Sequence, residues 1–172
     1  ARLSIARKIA YAAGGMGMNL PNLIVSQWIF KRYVPGGDDA LVPVALFSTI
    51  FLLGRITDGV SDPLVAYWSD RLRSRWGRRI PFVAVTMVPL AVVFFLLWSP
   101  PLEGQSWGNA LFAFALIQAY FLLYTAITTP YLALLPELTS DPAERVNIAT
   151  WQAVFVMLGT AVLFVPVGWL YR

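Results

Sequence analysis

In the stretch "GRITDGVSDP", Arg55, Asp58, Ser61 and Asp62 are the residues whose types and spacing could do chemistry. At about 100° per residue, positions spaced by three, six and seven fall on one face of a helix. That face would present two carboxylates and a hydroxyl, the oxygen donors that hard cations gather in numbers. Two carboxylates four residues apart repel each other. In a low-dielectric setting they coexist only if one is protonated, an arginine pairs with them, or a cation lies between them. Asp58 and Asp62 are therefore expected to form a cation site, for Na+ or H+, with Arg55 as charge partner. A fixed salt-bridge network holding helices in register is the plainer reading of the same residues, and the two readings overlap.

The setting decides how costly those charges are. Of the 172 residues, 58% are hydrophobic and 13% charged, against about 25% charged in a typical soluble domain. Mean hydropathy is +0.65, so most of the surface is expected to face a lipid bilayer. Histidine and cysteine are absent, which removes imidazole general bases, thiol nucleophiles and the usual zinc ligand sets. No nucleophile–base pair is in evidence and the chain is not expected to be an enzyme. The formal charge of +4 comes from basic residues placed between apolar runs, a pattern that does not suggest a nucleic-acid partner.

Five stretches reach the length of about 20 residues that a bilayer requires: 9–30, 41–68, 81–98, 110–135 and 146–171. The joints "VPGGDD", "SDRLRSRWGRR", "SPPLEGQSWGN" and "PELTSDPAER" concentrate turn formers and charge. The runs are too long and uniform for the alternating strands of a barrel. An all-α membrane protein, a polytopic bundle of about five transmembrane helices, is expected. The start, "ARLSIARKIAYAAGGMGMNL", does not read as a cleaved signal, because its apolar run continues to Phe30. With the N-terminus inside, nine basic residues (Arg2, Arg7, Lys8, Arg71, Arg73, Arg75, Arg78, Arg79, Arg145) lie on the cytoplasmic side and three (Lys31, Arg32, Arg172) outside. This bias predicts a cytoplasmic N-terminus.

Depth can be counted at about 1.5 Å per residue: Asp58 lies about 18 Å inside Asp70, Thr125 about 16 Å inside Pro136, and Asn19 about 16 Å beyond Lys8. The three would share one level near the midplane, where transporter sites usually sit. Charges at that depth are costly and normally functional. Pro63 cannot donate to the carbonyl of Gly59, which frees a backbone oxygen one turn from both aspartates. The loop around Asp70, Arg71, Arg75, Arg78 and Arg79 has two readings, a cytoplasmic gate or simple positive-inside anchoring. The third span carries no charge and is expected to face lipid. The small residues of "AAGGMGMN" suit close helix packing, and Trp28, Trp68, Trp98 and Trp169 suit interfacial belts.

These motifs resemble a known family. "RITDGVSDP" followed by "SDRLRSRWGRRIPF", with "TPYLALLPELTSDPAERVNI" further on, is similar to the glycoside–pentoside–hexuronide:cation symporters, the melibiose-permease branch of the major facilitator superfamily. The likeness runs from about Tyr11 to Gln152. It implies that the helices are part of an N-terminal six-helix half, with the remaining helices of the transporter not present in this chain. It also implies a cation site of Asp58, Ser61, Asp62 and Thr125, and a gate in the arginine loop. Ser61 stands where the sodium-coupled permease has asparagine. Where that permease has Lys-Asp on its first helix, this chain has Met18-Asn19; an aspartate becomes Thr128, a sugar-stacking tryptophan becomes Leu132, and Gln152 lies nearest an expected arginine.

The expectation is therefore a secondary active transporter, coupling Na+ or H+ to symport of a sugar or related small solute, with no other cofactor. Asn19, Thr128 and Gln152 would face the solute. The alternatives are a transport-inactive scaffold of the same fold that assembles with partner helices, or a transporter of lipid-type substrates. A multi-pass protein of a bacterial inner or plasma membrane is the expected setting.

Overall fold

A computed structural model describes residues 4–36, 39–71, 75 and 79–170, the last six of these by backbone alone. Five α-helices follow one another: α1 (Ile5–Tyr33), α2 (Val44–Arg71), α3 (Ile80–Leu96), α4 (Trp107–Leu138) and α5 (Pro142–Leu170). Among the described residues there is no strand, in line with the all-helical expectation. By length and composition, α2, α4 and the 142–164 part of α5 can cross a membrane, and α3 is a shorter apolar helix. Arg2, Arg73, Arg78 and Arg172 lie outside the described residues, as does the side chain of Trp169.

The joints between helices are held by side chains that replace missing backbone partners. Before α4, the fully buried Asn109 donates to the carbonyls of Leu102 and Gly104, both at 2.9 Å, and accepts from the Leu102 N–H at 3.2 Å. Gly104 takes φ 73° there, a conformation that a side chain disfavours. Ser106 caps the same helix, its hydroxyl accepting from the Asn109 N–H. At the start of α5, Asp141 accepts from the Ala143 N–H at 3.0 Å. Pro142 occupies the first helical position, where no N–H is needed.

The chain divides into two compact units, Ala1–Ser26 with Leu135–Arg172, and Gln27–Leu134. In the second, α2 turns one stripe inward: Phe47, Ile50, Gly54, Ser61, Val65 and Ser69 are buried. Its seam with α4 is tightest at Gly54, where an added Cβ would lie 2.5 Å from Phe121 Cδ2 and 2.8 Å from Ile117 Cγ2. Only a residue without a side chain lets the helices come so near, as small residues do in membrane packing. Around it Phe47 stacks on Tyr33 and Phe121 meets Phe51 and Tyr120 edge-on. On α3 no residue is buried; Val85, Val88 and Phe95 are open to the surroundings, which suits contact with hydrocarbon.

In the first unit, Gly159 of α5 meets Met16 and Leu20 of α1, an added Cβ falling 2.9 Å from Met16 Cγ. One end of this helix pair carries a buried ion pair. Lys8 Nζ lies 2.6 Å from Glu144 Oε2, with side chains 11% and 9% exposed, and donates to Asn147 Oδ1 at 3.1 Å. Arg145 folds back to the Thr139 carbonyl at 2.9 Å. By sequence, Lys8 and Arg145 enter only the count of basic residues that predicts a cytoplasmic N-terminus.

Two outcomes follow for the purified protein in detergent, both read as thermal unfolding. Gly54→Ala should cost about 1–3 kcal/mol by overpacking the α2–α4 seam, and Phe121→Leu in the same chain should recover part of it. Glu144→Gln should cost about 3 kcal/mol because it strands the Lys8 charge, whereas Lys8→Met with Glu144→Leu should cost less.

Candidate functional site

Asp58 and Asp62 stand on the α2 side of the seam that Gly54 opens, one and two turns beyond it. Asp58 is half-buried and accepts the hydroxyl of the fully buried Thr125 of α4. One turn on, Asp62 accepts the hydroxyl of Thr129 at 2.6 Å. Both pairs join residues 67 apart, and Gly54 meets Phe121 at that same offset. A constant offset over three successive turns means that α2 and α4 run parallel and in register. Each step of four along one helix brings the next partner on the other.

Two more groups tie the seam near the carboxylates. The Thr57 hydroxyl donates to Gln118 Oε1 at 2.6 Å, and the Gln118 amide donates to the Ile50 carbonyl at 3.2 Å. This places a side-chain clamp beside Asp58. Ser61 is buried and its hydroxyl donates back to the Asp58 carbonyl at 3.0 Å, which leaves its oxygen lone pairs available as acceptors. Gly59 is exposed, and an added Cβ there would meet nothing within 4 Å.

Arg55 lies over two aromatic rings, 4.7 Å from the centroid of Phe121 and 5.4 Å from that of Phe51. The electron-rich faces of the two rings hold the guanidinium on the α2–α4 seam. Arg55 thus stays near the site at a fixed place on the seam.

Thr128 sits on α4 between the two site threonines, its hydroxyl donating to the Tyr124 carbonyl at 3.0 Å. Asn19 on α1 and Gln152 on α5 are both half-buried and both belong to the other unit. Asn22, one turn from Asn19, has a buried amide oxygen with no hydrogen-bond partner among the described residues. Buried polar atoms of this kind call for a partner, and Asn22, unlike Asn19, is a polar residue of α1 that the sequence did not single out.

In the loop between α2 and α3, Arg79 donates to Asp70 at 2.8 Å. The pair ties the end of α2 to the start of α3, and Arg71 covers the Tyr67 ring at 3.8 Å. Arg75 is an exposed turn residue, and Arg78 lies outside the described residues.

Sequence reasoning missed Thr129 and Gln118. A signal for Thr129 was present: "DGVSDP" and "TAITTP" both place a polar residue, three intervening positions, a second polar residue and then proline. Nothing comparable marks Gln118. Among the described residues no group of three or more acidic, histidine or cysteine side chains could hold a metal. The donor set at the seam is two carboxylates with threonine and serine hydroxyls, all oxygen, which fits a hard monovalent cation better than a transition metal.

A family model described as MFS/sugar transport protein matches residues 10–170. Among curated relatives, an uncharacterized symporter of Synechocystis is 34% identical over 165 residues, covering 92% of this chain and 30% of the relative. The isoprimeverose transporter of Lactiplantibacillus pentosus is 28% identical, covering 91% of this chain and 32% of its own length. The sphingosine-1-phosphate transporter MFSD2B of Xenopus tropicalis is 30% identical, covering 94% of this chain and 31% of the relative. The chain thus spans about a third of the length of these relatives.

Proposed function

The chain belongs to the MFS/sugar transport family, within it to the glycoside–pentoside–hexuronide:cation symporters, and on that basis we propose that it supplies the N-terminal helices of a cation-coupled secondary transporter. The carrying observation is the pair of carboxylates on α2, each receiving a threonine hydroxyl from α4. Ionised groups at such depth are expensive unless they serve a passage or a bound ion. Asp58, Asp62, Ser61 and Thr125 hold the coupling ion, Na+ or H+, and Arg55 balances the charge that remains when the ion leaves. Asn19, Thr128 and Gln152 face the solute. Asp70 and Arg79, with Arg71, Arg75 and Arg78, form a cytoplasmic gate whose closure ties α2 to α3. The remaining helices of the transporter complete the pathway, and the chain itself performs no catalysis.

Ion and solute are coupled because each stabilises the conformation that binds the other. The solute is sugar-like, in keeping with the similarity to the isoprimeverose transporter. A lipid-type solute is the second reading, favoured by the match to the sphingosine-1-phosphate transporter and by the uncharged Asn19 and Thr128. The setting is a plasma membrane, bacterial by the source of two of these relatives, with a cytoplasmic N-terminus by the bias of basic residues.

Uptake by the full-length protein in vesicles tests this, with sodium and pH gradients imposed separately across a panel of glycosides and lysophospholipids. Cation-driven uptake of at least one panel member is expected, and Asp58→Asn and Asp62→Asn should each lower it about 100-fold or more, in keeping with the loss of a charged site residue. Uptake that survives both substitutions, or none in the unaltered protein, would remove the symport reading. Orientation is tested by single cysteines in a background without others. Ser140→Cys should react only from the cytoplasmic side and Ser99→Cys only from outside.

A further inference from the structure

Asp62 is the more open of the two carboxylates, and the Thr129 hydroxyl holds it at 2.6 Å. A freely rotating carboxylate would have to be ordered each time an ion arrived, at a cost in side-chain entropy. With Thr129 in place that ordering is present beforehand. A threonine hydroxyl can then turn, give its hydrogen to the carbonyl four residues back (for Thr129, that of Thr125), and offer a lone pair to a metal ion.

The two rungs, Asp58 with Thr125 and Asp62 with Thr129, stand one turn apart at an identical offset. Together they set four oxygen-bearing side chains along one seam. A proton needs only one carboxylate. A hard metal cation needs several oxygens in place of its water, so the second rung has a use for a metal ion that it does not have for a proton.

We propose that Thr129 is the second hydroxyl of the cation site, a positioning residue that aims Asp62 at α4 and adapts the site to a monovalent metal ion of the sodium class. This rests on the symport reading above and adds to it a residue and a choice of ion.

The test is equilibrium binding of radioactive sodium to the purified full-length protein at fixed pH, with choline replacing sodium in the background. Thr129→Val keeps the shape and deletes the hydroxyl; Thr129→Ser restores it. Loss of a hydrogen bond to a charged group should weaken sodium binding by Thr129→Val about 10-fold or more. Thr129→Ser should bind within about threefold of the unaltered protein, and the melting temperature of Thr129→Val without sodium should be unchanged. The proposal is overturned if Thr129→Val binds sodium as the unaltered protein does, if Thr129→Ser is as weak as Thr129→Val, or if the unaltered protein shows no saturable sodium binding. Asp62→Asn separates the two levels. Sodium binding that survives it removes the site itself, whereas binding lost in Asp62→Asn but kept in Thr129→Val removes only the role of Thr129.

Discussion

Two negative charges on one helix face, in a chain whose solvent is mostly hydrocarbon, are the constraint around which the α2–α4 seam is organised. The mutual repulsion of Asp58 and Asp62 grows as the dielectric around them falls. The seam answers with donors. Thr125 and Thr129 each give a hydroxyl to one carboxylate, and Arg55 is kept close by the rings of Phe51 and Phe121. None of this is possible unless the two helices touch. Gly54 permits that contact, because any side chain there would strike Phe121 or Ile117. A backbone feature without chemistry of its own thus sets the distance over which the chemistry acts.

The other unit solves a related problem with a different device. Lys8 and Glu144 are nine-tenths buried at 2.6 Å from each other, and Asn147 takes a further hydrogen bond from the ammonium. A buried pair of this kind adds little net stability over an apolar pair, but removing one partner is severe. Its value lies in register: Lys8 can reach Glu144 only when the start of α1 lies against the start of α5. Gly159 against Met16 and Leu20 fixes the closeness of the same two helices farther along. Charge at one end and a small residue along the shaft together define how α1 and α5 pack.

The family relationship fits this division of labour. Relatives named for isoprimeverose and for sphingosine-1-phosphate align with the same stretch at similar identity. Within this chain Asp58 and Asp62, proposed to hold the ion, are charged and closely held, while Asn19, Thr128 and Gln152, proposed to face the solute, are neutral. Neutral amides and hydroxyls bond more weakly than carboxylates, so in the proposed roles they would constrain a solute less than the aspartates would constrain an ion. One scaffold can keep its coupling site and vary what it carries, since function resides in the site rather than in the fold.

The amino-acid sequence alone determined that the chain is helical and made for lipid, because long apolar runs without the alternation of barrel strands satisfy their backbone in lipid only as helices. It also marked the α2 face, since 3.6-residue periodicity brings Asp58, Ser61 and Asp62 together without knowledge of any neighbour. Thr125 was reached through depth counting and family likeness, neither of which fixes a contact. Only the tertiary structure decided which helix meets that face, and at which turn. The constant offset of 67 residues is a property of how α2 and α4 pack, and it made Thr129 a partner of Asp62 and placed Gln118 against Thr57. The pairing of Lys8 with Glu144 was hidden for the same reason: they are 136 positions apart, and periodicity within one helix carries no information about the azimuth or height of another.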